Sequence, residues 1–313
     1  TKPRQFSLLG FNTLPIYQHV TEYAVMLDDL AKVRCEVEKA IFLAQSAPHG
    51  PVWIECPIDI QGALFDPELY EGFNPNSLSA NRPTDKTSIE NIAREIRNSK
   101  KACILAGAGV RAADSVNEFN KLIQKLNIPV LTSRMGMDII DDNNPLFVGR
   151  PGTYGDRPGN FAVQNADLLI VIGCRLSIGL IGHDYKAFAP NAKKIIVDID
   201  LNEIEKPSIK ADFFVQADIR NFVQEMLEST AELRFQNETW IKQTQLWKNK
   251  YPVNLPEYKT EQEGINSYLF IDSLSRVAKA DDIFVLDTGS CFHVHSQAFK
   301  VKLGQRHIIT GGL

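Results

Sequence analysis

The chain has 313 residues, with 34 Lys and Arg against 38 Asp and Glu, a formal net charge of −4, and 44% hydrophobic against 23% charged residues. That is ordinary composition for a soluble globular protein, and at about 100–200 residues per domain the length predicts two domains with cores large enough to need no disulfide or structural metal. The slightly acidic balance, with no Lys/Arg run anywhere, argues against binding a nucleic-acid backbone.

Cys35, Cys56, Cys103, Cys174 and Cys291 are odd in number, far apart and never in C-x-x-C spacing, so they suggest neither a disulfide framework nor a zinc site. Apolar runs such as 168–173 reach only strand length, short of the roughly 20 residues that span a bilayer, and no charged-then-apolar leader opens the chain. A reducing, cytoplasmic setting without a membrane partner is the expectation. The chain opens at Thr1 and closes on Thr310-Gly311-Gly312-Leu313, directly after the strand-like 306–309. A Gly-rich turn leaving a strand leads into another element, so the chain is expected to be a fragment.

Residues 27–47 carry Leu27, Leu30, Val33, Val37, Ala40, Ile41 and Ala44 at helical spacing behind Asp28-Asp29, which predicts a helix. His49-Gly50-Pro51 stops it, and 52–57 reads as a short buried strand closed by Pro57. Residues 62–87, with repeated Pro, Asn and Ser and no sustained periodicity, read as a linker at a domain boundary. From Ser88 the pattern is regular. An imperfect capping box at Ser88–Asn91 opens a helix with Ile89, Ile92, Ala93 and Ile96 on one face. There follow strand 102–106, turn 107–109, helix 112–126, strand 129–132, a polar Gly-rich stretch to Gly159, helix 160–165, strand 168–172, strand 194–199, strand 212–215 and helix 219–227. A second linker, polar and dotted with aromatics, runs over 229–264, and 266–277 reads as a helix before strand 282–286. Strands alternating with helices predict an α/β fold of parallel sheets covered by helices.

Ligands of such sheets sit at the carboxyl ends of the strands. Two ends stand out. Gly107-Ala108-Gly109 gives a G-x-G turn with Ala112 where the dinucleotide fingerprint allows Ala, which is either a phosphate turn or a plain strand-to-helix turn. Asp287-Thr288-Gly289-Ser290-Cys291 gives a small-residue turn with a hydroxyl, whose simplest reading is a βα turn capped by Asp287. His293 and His295 alternate as metal ligands on a strand do, yet no third ligand is evident; Cys291 lacks a base at any diagnostic spacing and reads as a small thiol. Asp198-Ile199-Asp200 would either take a ribose hydroxyl or cap the next turn.

Several segments, in order, resemble the thiamine-diphosphate-dependent enzymes of the acetolactate synthase group. Residues 50–61 (GPVWIECPIDIQ) are similar to the family's GPVWLDIPLDVQ, which closes its pyrimidine-binding domain. Ala166-Asp167-Leu168-Leu169-Ile170 with Gly173-Cys174-Arg175, then 188–193 and Val197-Asp198-Ile199-Asp200, resemble the central domain. Asp287-x-Gly289 with Gln297, Arg306 and Gly311-Gly312-Leu313 resembles the opening of the diphosphate-binding domain.

The resemblance implies five parts: the C-terminal part of a pyrimidine-binding domain at 1–61, a linker at 62–87, a complete central Rossmann-like domain at 88–228, a linker at 229–264 and the N-terminal part of a diphosphate-binding domain at 265–313. It implies thiamine diphosphate as cofactor against Gly289, Ser290 and Cys291, with Ser290-Cys291 replacing the usual Gln-His. It implies Phe11 and Asn12 at the substrate pocket. Gly107, Ala108, Gly109, Arg175, Asp198, Ile199, Ala217, Asp218 and Ile219 match positions that hold FAD. The family's F-D-D-R, however, is here Leu176-Ser177-Ile178-Gly179, which removes an acid and an arginine, so FAD, ADP and an empty site are all allowed. The catalytic glutamate is expected upstream of Thr1 and the Mg²⁺ ligands downstream of Leu313, so the 313 residues alone are expected to be inactive. The activity implied for the whole enzyme is decarboxylation of a pyruvate-like 2-oxo acid and carboligation to a second carbonyl, in a homodimer or homotetramer. Two alternatives stand beside it: a nucleotide-dependent oxidoreductase or deacylase using the 107–109 turn, and a non-catalytic nucleotide-binding module.

Overall fold

The computed structural model describes residues 12–77, 85–203, 206–229, 232–260 and 264–310, and the chain divides into two compact units, Thr1–Asn81 and Arg82–Leu313. In the first unit, β1 (Tyr23–Met26) and β2 (Val52–Glu55) pair in parallel, Tyr23 opposite Val52, and α1 (Val33–Gln45) makes the crossover between them. The helix expected from residue 27 starts later. The Asp29 carboxylate accepts a 3.0 Å hydrogen bond from the Ala31 N–H and opens a 3₁₀ turn, Leu30–Lys32, so it caps the helix start instead of lying inside it.

The second unit holds a six-stranded sheet. Its helices and strands are α2 (Lys86–Asn98), β3 (Ala102–Ala106), α3 (Val116–Leu126), β4 (Val130–Thr132), β5 (Phe147–Gly149), α4 (Arg157–Asn165), β6 (Leu168–Ile172), β7 (Lys193–Asp198), β8 (Phe213–Gln216) and α5 (Ile219–Ser229). All neighbours run parallel in the order β5-β4-β3-β6-β7-β8. The chain starts in the middle, winds outward one way, then returns to wind the other way. This is the doubly wound arrangement, and its winding reverses between β3 and β6. Every residue of β3, β4 and β6 is buried, as strands covered on both faces must be. Ile89, Ile92, Ala93 and Ile96 are buried on α2 as their spacing predicts, but the cap is Asp85, which accepts from Thr87 N–H, and not Ser88.

Three other readings change. The helix expected over 112–126 is a single turn, Gly109–Ala112, followed by α3, with Asp114 left-handed (φ 50°) at the break. Strand β5 lies in the stretch read as irregular, because three residues are too few to show a period. The second linker contains α6 (Glu238–Lys250), capped by Asn237 and anchored by Trp240, whose indole N–H donates to the Ala102 carbonyl at 2.9 Å. Only Trp240 and Thr244 of α6 are fully buried, so it has no continuous apolar stripe to read.

The unit ends with α7 (Ser267–Val277), β9 (Ile283–Leu286), α8 (Ser290–Ala298) and β10 (Arg306–Ile309); β9 and β10 pair in parallel around a small cluster of Phe292, Phe299, Val301 and Ile309. His293 and His295 lie on α8, not on a strand, so they point to different neighbours.

Candidate functional site

The reversal of winding between β3 and β6 brings two turns together at the carboxyl edge: Gly107-Ala108-Gly109 and Gly173-Cys174-Arg175. Gly107 N–H donates to Ile172 O (2.9 Å) and Gly109 N–H to Gly173 O (3.0 Å). A Cβ at Gly107 would stand 2.2 Å from Gly173 O, and one at Gly109 2.7 Å from Gly173 Cα. These glycines therefore let two backbones meet, while Ala108 is the exposed residue of the turn.

Around this edge lie the other matched positions. Arg175 is 84% exposed, with Nε 3.3 Å from Oε1 of the buried Glu203, which also pairs with Lys206. Asp198 is buried, and its carboxylate accepts from Asp200 N–H at 3.1 Å; burial pushes its carboxyl above the usual range, against that bond. Ile199 is half-buried and its carbonyl accepts from the Gln216 amide. Ala217 and Ile219 are buried, and Asp218 accepts from Arg220 N–H (2.8 Å), capping α5. Asp218 thus caps α5 and Asp198 closes a local turn, with Arg175 reaching into solvent beside them.

At the second edge, Gly289 is left-handed (φ 89°), and no atom lies within 4 Å of where its Cβ would be. Only glycine adopts this turn cheaply, and the space beside it is open to a close ligand. Ser290 and Cys291 follow, both exposed, as the first residues of α8; the Cys291 thiol donates to Asp287 O and Thr288 O at 3.1 Å. Asp287 accepts from Thr288 N–H at 2.7 Å. In the first unit Asn12 accepts from Leu14 N–H at 3.1 Å, whereas Phe11 lies outside the described residues.

Sequence reasoning passed over two clusters. Asp138, 2% exposed, binds Arg111 Nε (3.0 Å), Arg306 Nη1 (2.7 Å) and His307 N–H (3.0 Å), tying β10 to the turns after β3 and β4. Arg134 donates to His293 Nδ1 at 2.7 Å between the rings of Phe292 and Tyr154. Neither has a diagnostic spacing, because each joins segments more than 150 residues apart. A cleft of about 860 Å³ lined by Asp142, Arg150, Lys248, Asp272, Gln297 and Lys300 also opens in this unit. Three of its cations are answered within the chain: Arg150 by Asp142, Lys248 by the carbonyls of Asp142 and Phe147, and Lys300 by Asp272. Among the described residues no group of three or more His, Cys, Asp or Glu is placed to hold a metal, and no helix is long and apolar enough to cross a membrane.

Residues 89–226, the doubly wound sheet without its outermost caps, match the family model described as thiamine pyrophosphate enzyme, central domain. This segment is a thiamine pyrophosphate enzyme central domain. The likeness continues along the chain: it is 28% identical over 317 residues to the probable acetolactate synthase large subunit of Methanocaldococcus jannaschii, covering 96% of this chain and 52% of that protein. It is 28% identical over 306 residues to the acetolactate synthase isozyme 1 large subunit of Escherichia coli, covering 96% and 51%. Against the probable acetolactate synthase large subunit of Methanococcus aeolicus it is 32% identical over 225 residues, covering 69% and 36%. The chain thus spans about half the length, or less, of the curated relatives it matches. None of these likenesses supports an oxidoreductase, a deacylase or a non-catalytic module.

Within the thiamine pyrophosphate enzyme central domain, the donors left for a nucleotide are decided by the packing. The Gly107 and Gly109 N–H groups are consumed by backbone carbonyls, and no space lies between the two turns. What remains, Arg175 and the exposed rim at Ala108, fits a group laid over the turns and not one inserted between glycines.

Proposed function

We propose that this chain is part of a thiamine-diphosphate-dependent carboligase of the acetolactate synthase type, which decarboxylates a pyruvate-like 2-oxo acid and joins the remaining carbons to a second carbonyl. The observation that carries this reading is the Gly289 turn: a left-handed glycine with open space beside it, at the carboxyl end of a parallel strand and the start of a helix, downstream of a thiamine pyrophosphate enzyme central domain. Such a turn presents backbone N–H groups and the positive end of α8 to an anion, so Gly289, Ser290 and Cys291 are the residues here that would hold a cofactor diphosphate. The cofactor supplies the electron sink for decarboxylation; this chain's residues bind, orient and exclude water.

Two further features support the reading. The outer face of β9 is bare, with Ile283 65% and Val285 73% exposed, as in a parallel sheet whose covering layer lies in a larger domain. The first unit likewise has one parallel strand-helix-strand element. Mg²⁺ bound by residues beyond these 313, a homodimeric or homotetrameric assembly and a cytoplasmic setting complete the proposal. FAD or ADP, if carried, would lie over Arg175 and the 107–109 turn, near Asp198, Ile199, Ala217, Asp218 and Ile219.

The test is product analysis on the enzyme as the cell makes it, given pyruvate alone and pyruvate with 2-oxobutyrate. Acetohydroxy acids formed only when thiamine diphosphate and Mg²⁺ are both supplied are the expected result. No consumption of either acid under those conditions would overturn the reading.

A further inference from the structure

The cleft of about 860 Å³, walled in part by β5 and α6, is lined by five cations, Arg150, Lys248, Lys259, Arg276 and Lys300, and by three acids, Asp142, Asp156 and Asp272. Five against three leaves an excess of two positive charges. Two of the acids are shared: Asp142 pairs with Arg150 and its charge also acts on Lys248, while Asp272 pairs with both Arg276 and Lys300. Asp156 is taken up by the N–H groups of Arg150 and Gly159, each at 2.7 Å. Lys259 is exposed and pairs with no carboxylate among the described residues.

Two buried polar atoms of the lining have no partner. The Arg150 side chain, 3% exposed, holds Asp142 through Nη1 and Nη2, but its Nε–H meets nothing; in the loop after α6, Asn254 Oδ1 accepts nothing. A buried donor and a buried acceptor are each costly while unmet. Lys248 is in a similar state. Its ammonium donates to the carbonyls of Asp142 (2.7 Å) and Phe147 (3.0 Å), which leaves its third N–H without an acceptor among the described residues, and loss of water holds its pKa below the usual lysine range. Tyr251, Val253, Leu255 and Leu269, all half-buried, give the same cleft an apolar side. Excess positive charge, an unmet donor, an unmet acceptor and an apolar wall together describe an organic anion that also carries a donor.

We propose that this cleft is a ligand site for a small phosphate monoester with a hydroxyl-bearing carbon body. A phosphate monoester carries roughly −1.5 to −2 at neutral pH and so offsets the excess of two charges, whereas a single carboxylate offsets half of it. Three of the five cations are lysines, compact point charges that meet a tetrahedral phosphate from several sides, where a planar carboxylate would call for an open arginine fork; the fork of Arg150 is already closed on Asp142. The phosphate oxygens answer Lys248, Lys259 and the Arg150 Nε–H, a hydroxyl answers Asn254 Oδ1, and the carbon body lies against Tyr251, Val253, Leu255 and Leu269. The inference stands on the cleft alone and does not need the function proposed above.

The experiment follows Lys248 by NMR in the full chain labelled with [ε-¹³C]lysine, its signal assigned with K248M. Its titration from neutral to alkaline pH is recorded at constant ionic strength with chloride, inorganic phosphate, glycerol 3-phosphate or AMP. Glycerol 3-phosphate or AMP is expected to raise the apparent pKa of Lys248 by about half a unit or more, because a bound dianion favours the charged ammonium. A response to either ester supports the site, and the larger of the two tells a sugar-type from a nucleotide-type body. K300Q, at the exposed rim, is expected to weaken the apparent affinity about threefold or more, and L255W, which fills the cleft and keeps its cations, to abolish the response. No response to either ester in the wild type, an equal response to inorganic phosphate, or an undiminished response in folded K300Q or L255W would each overturn the proposal. The measurement needs neither cofactor nor turnover, so absence of carboligase activity in the product assay would leave its outcome untouched.

Discussion

Asp138 shows how much one buried side chain decides here. Its carboxylate answers Arg111, Arg306 and the His307 N–H, with Arg111 25% and Arg306 41% exposed. D138A leaves a buried N–H and two partly desolvated cations without their anion and is expected to destabilise the chain by about 3 kcal/mol in urea unfolding, the scale for breaking a buried pair from one side. R306A, on the half-exposed partner, is expected to cost about 1 kcal/mol or less. Equal costs would show that Asp138 is not the hub. At this scale the sequence is close to silent. Asp138 sits in an unremarkable Met137-Asp138-Ile139 run, and what makes it central is the approach of β10 from 168 residues away.

Elements were legible where a period runs long enough. β3 and β6 are buried along their whole length and have the bounds their apolar runs predict, and α2 buries the apolar face its spacing predicts; β5 is three residues long and α6 buries two side chains, so neither has a pattern to read. The glycines invited the opposite error. G-x-G reads as a ligand turn, yet Gly107 and Gly109 are required because Gly173 and Cys174 press against them. G107A would drive its Cβ into Gly173 O and Cys174 Cα, both backbone and neither free to rotate away, at an expected cost of about 3 kcal/mol. G179A meets only the flexible end of Arg134 and is expected to lie within about 0.5 kcal/mol of wild type. Thermal unfolding of the two variants separates these outcomes; similar midpoints would remove the packing argument.

For the molecule as a whole, the buried His295–His307 pair (2.9 Å, Nε2 to Nδ1) sets the response to acid. Burial holds both at about 3, with the other histidine and Arg150 adding to His295, and Arg150, Arg111 and Arg306 adding to His307. Their folded pKa is depressed below the unfolded value near 6.5, so the unfolded chain takes up protons first. Stability is whole above about pH 6.5 and falls by up to about 1.4 kcal/mol per pH unit per histidine down to about pH 3. Asp156, pushed up to about 6 by burial, acts in the opposite sense between roughly pH 4 and 6 and Asp198 is raised in the same direction, whereas His293, lowered by loss of water and by Arg134, adds to the histidine pair. Urea midpoints are therefore expected to drop from pH 7 to pH 5, and less steeply in H295Q; a flat profile in the wild type would contradict this.

The residues by themselves determined the α/β class, the central sheet and the likeness to thiamine-dependent enzymes, because burial on both faces writes continuous apolar strands and because ordered motifs survive as text. Only the tertiary structure decided which glycines serve packing and which leaves open space, that His293 and His295 part company on a helix, and that Arg134 stands beside Gly179. Those facts depend on distances between segments far apart in the chain, and no local pattern of side chains encodes a distance of that kind.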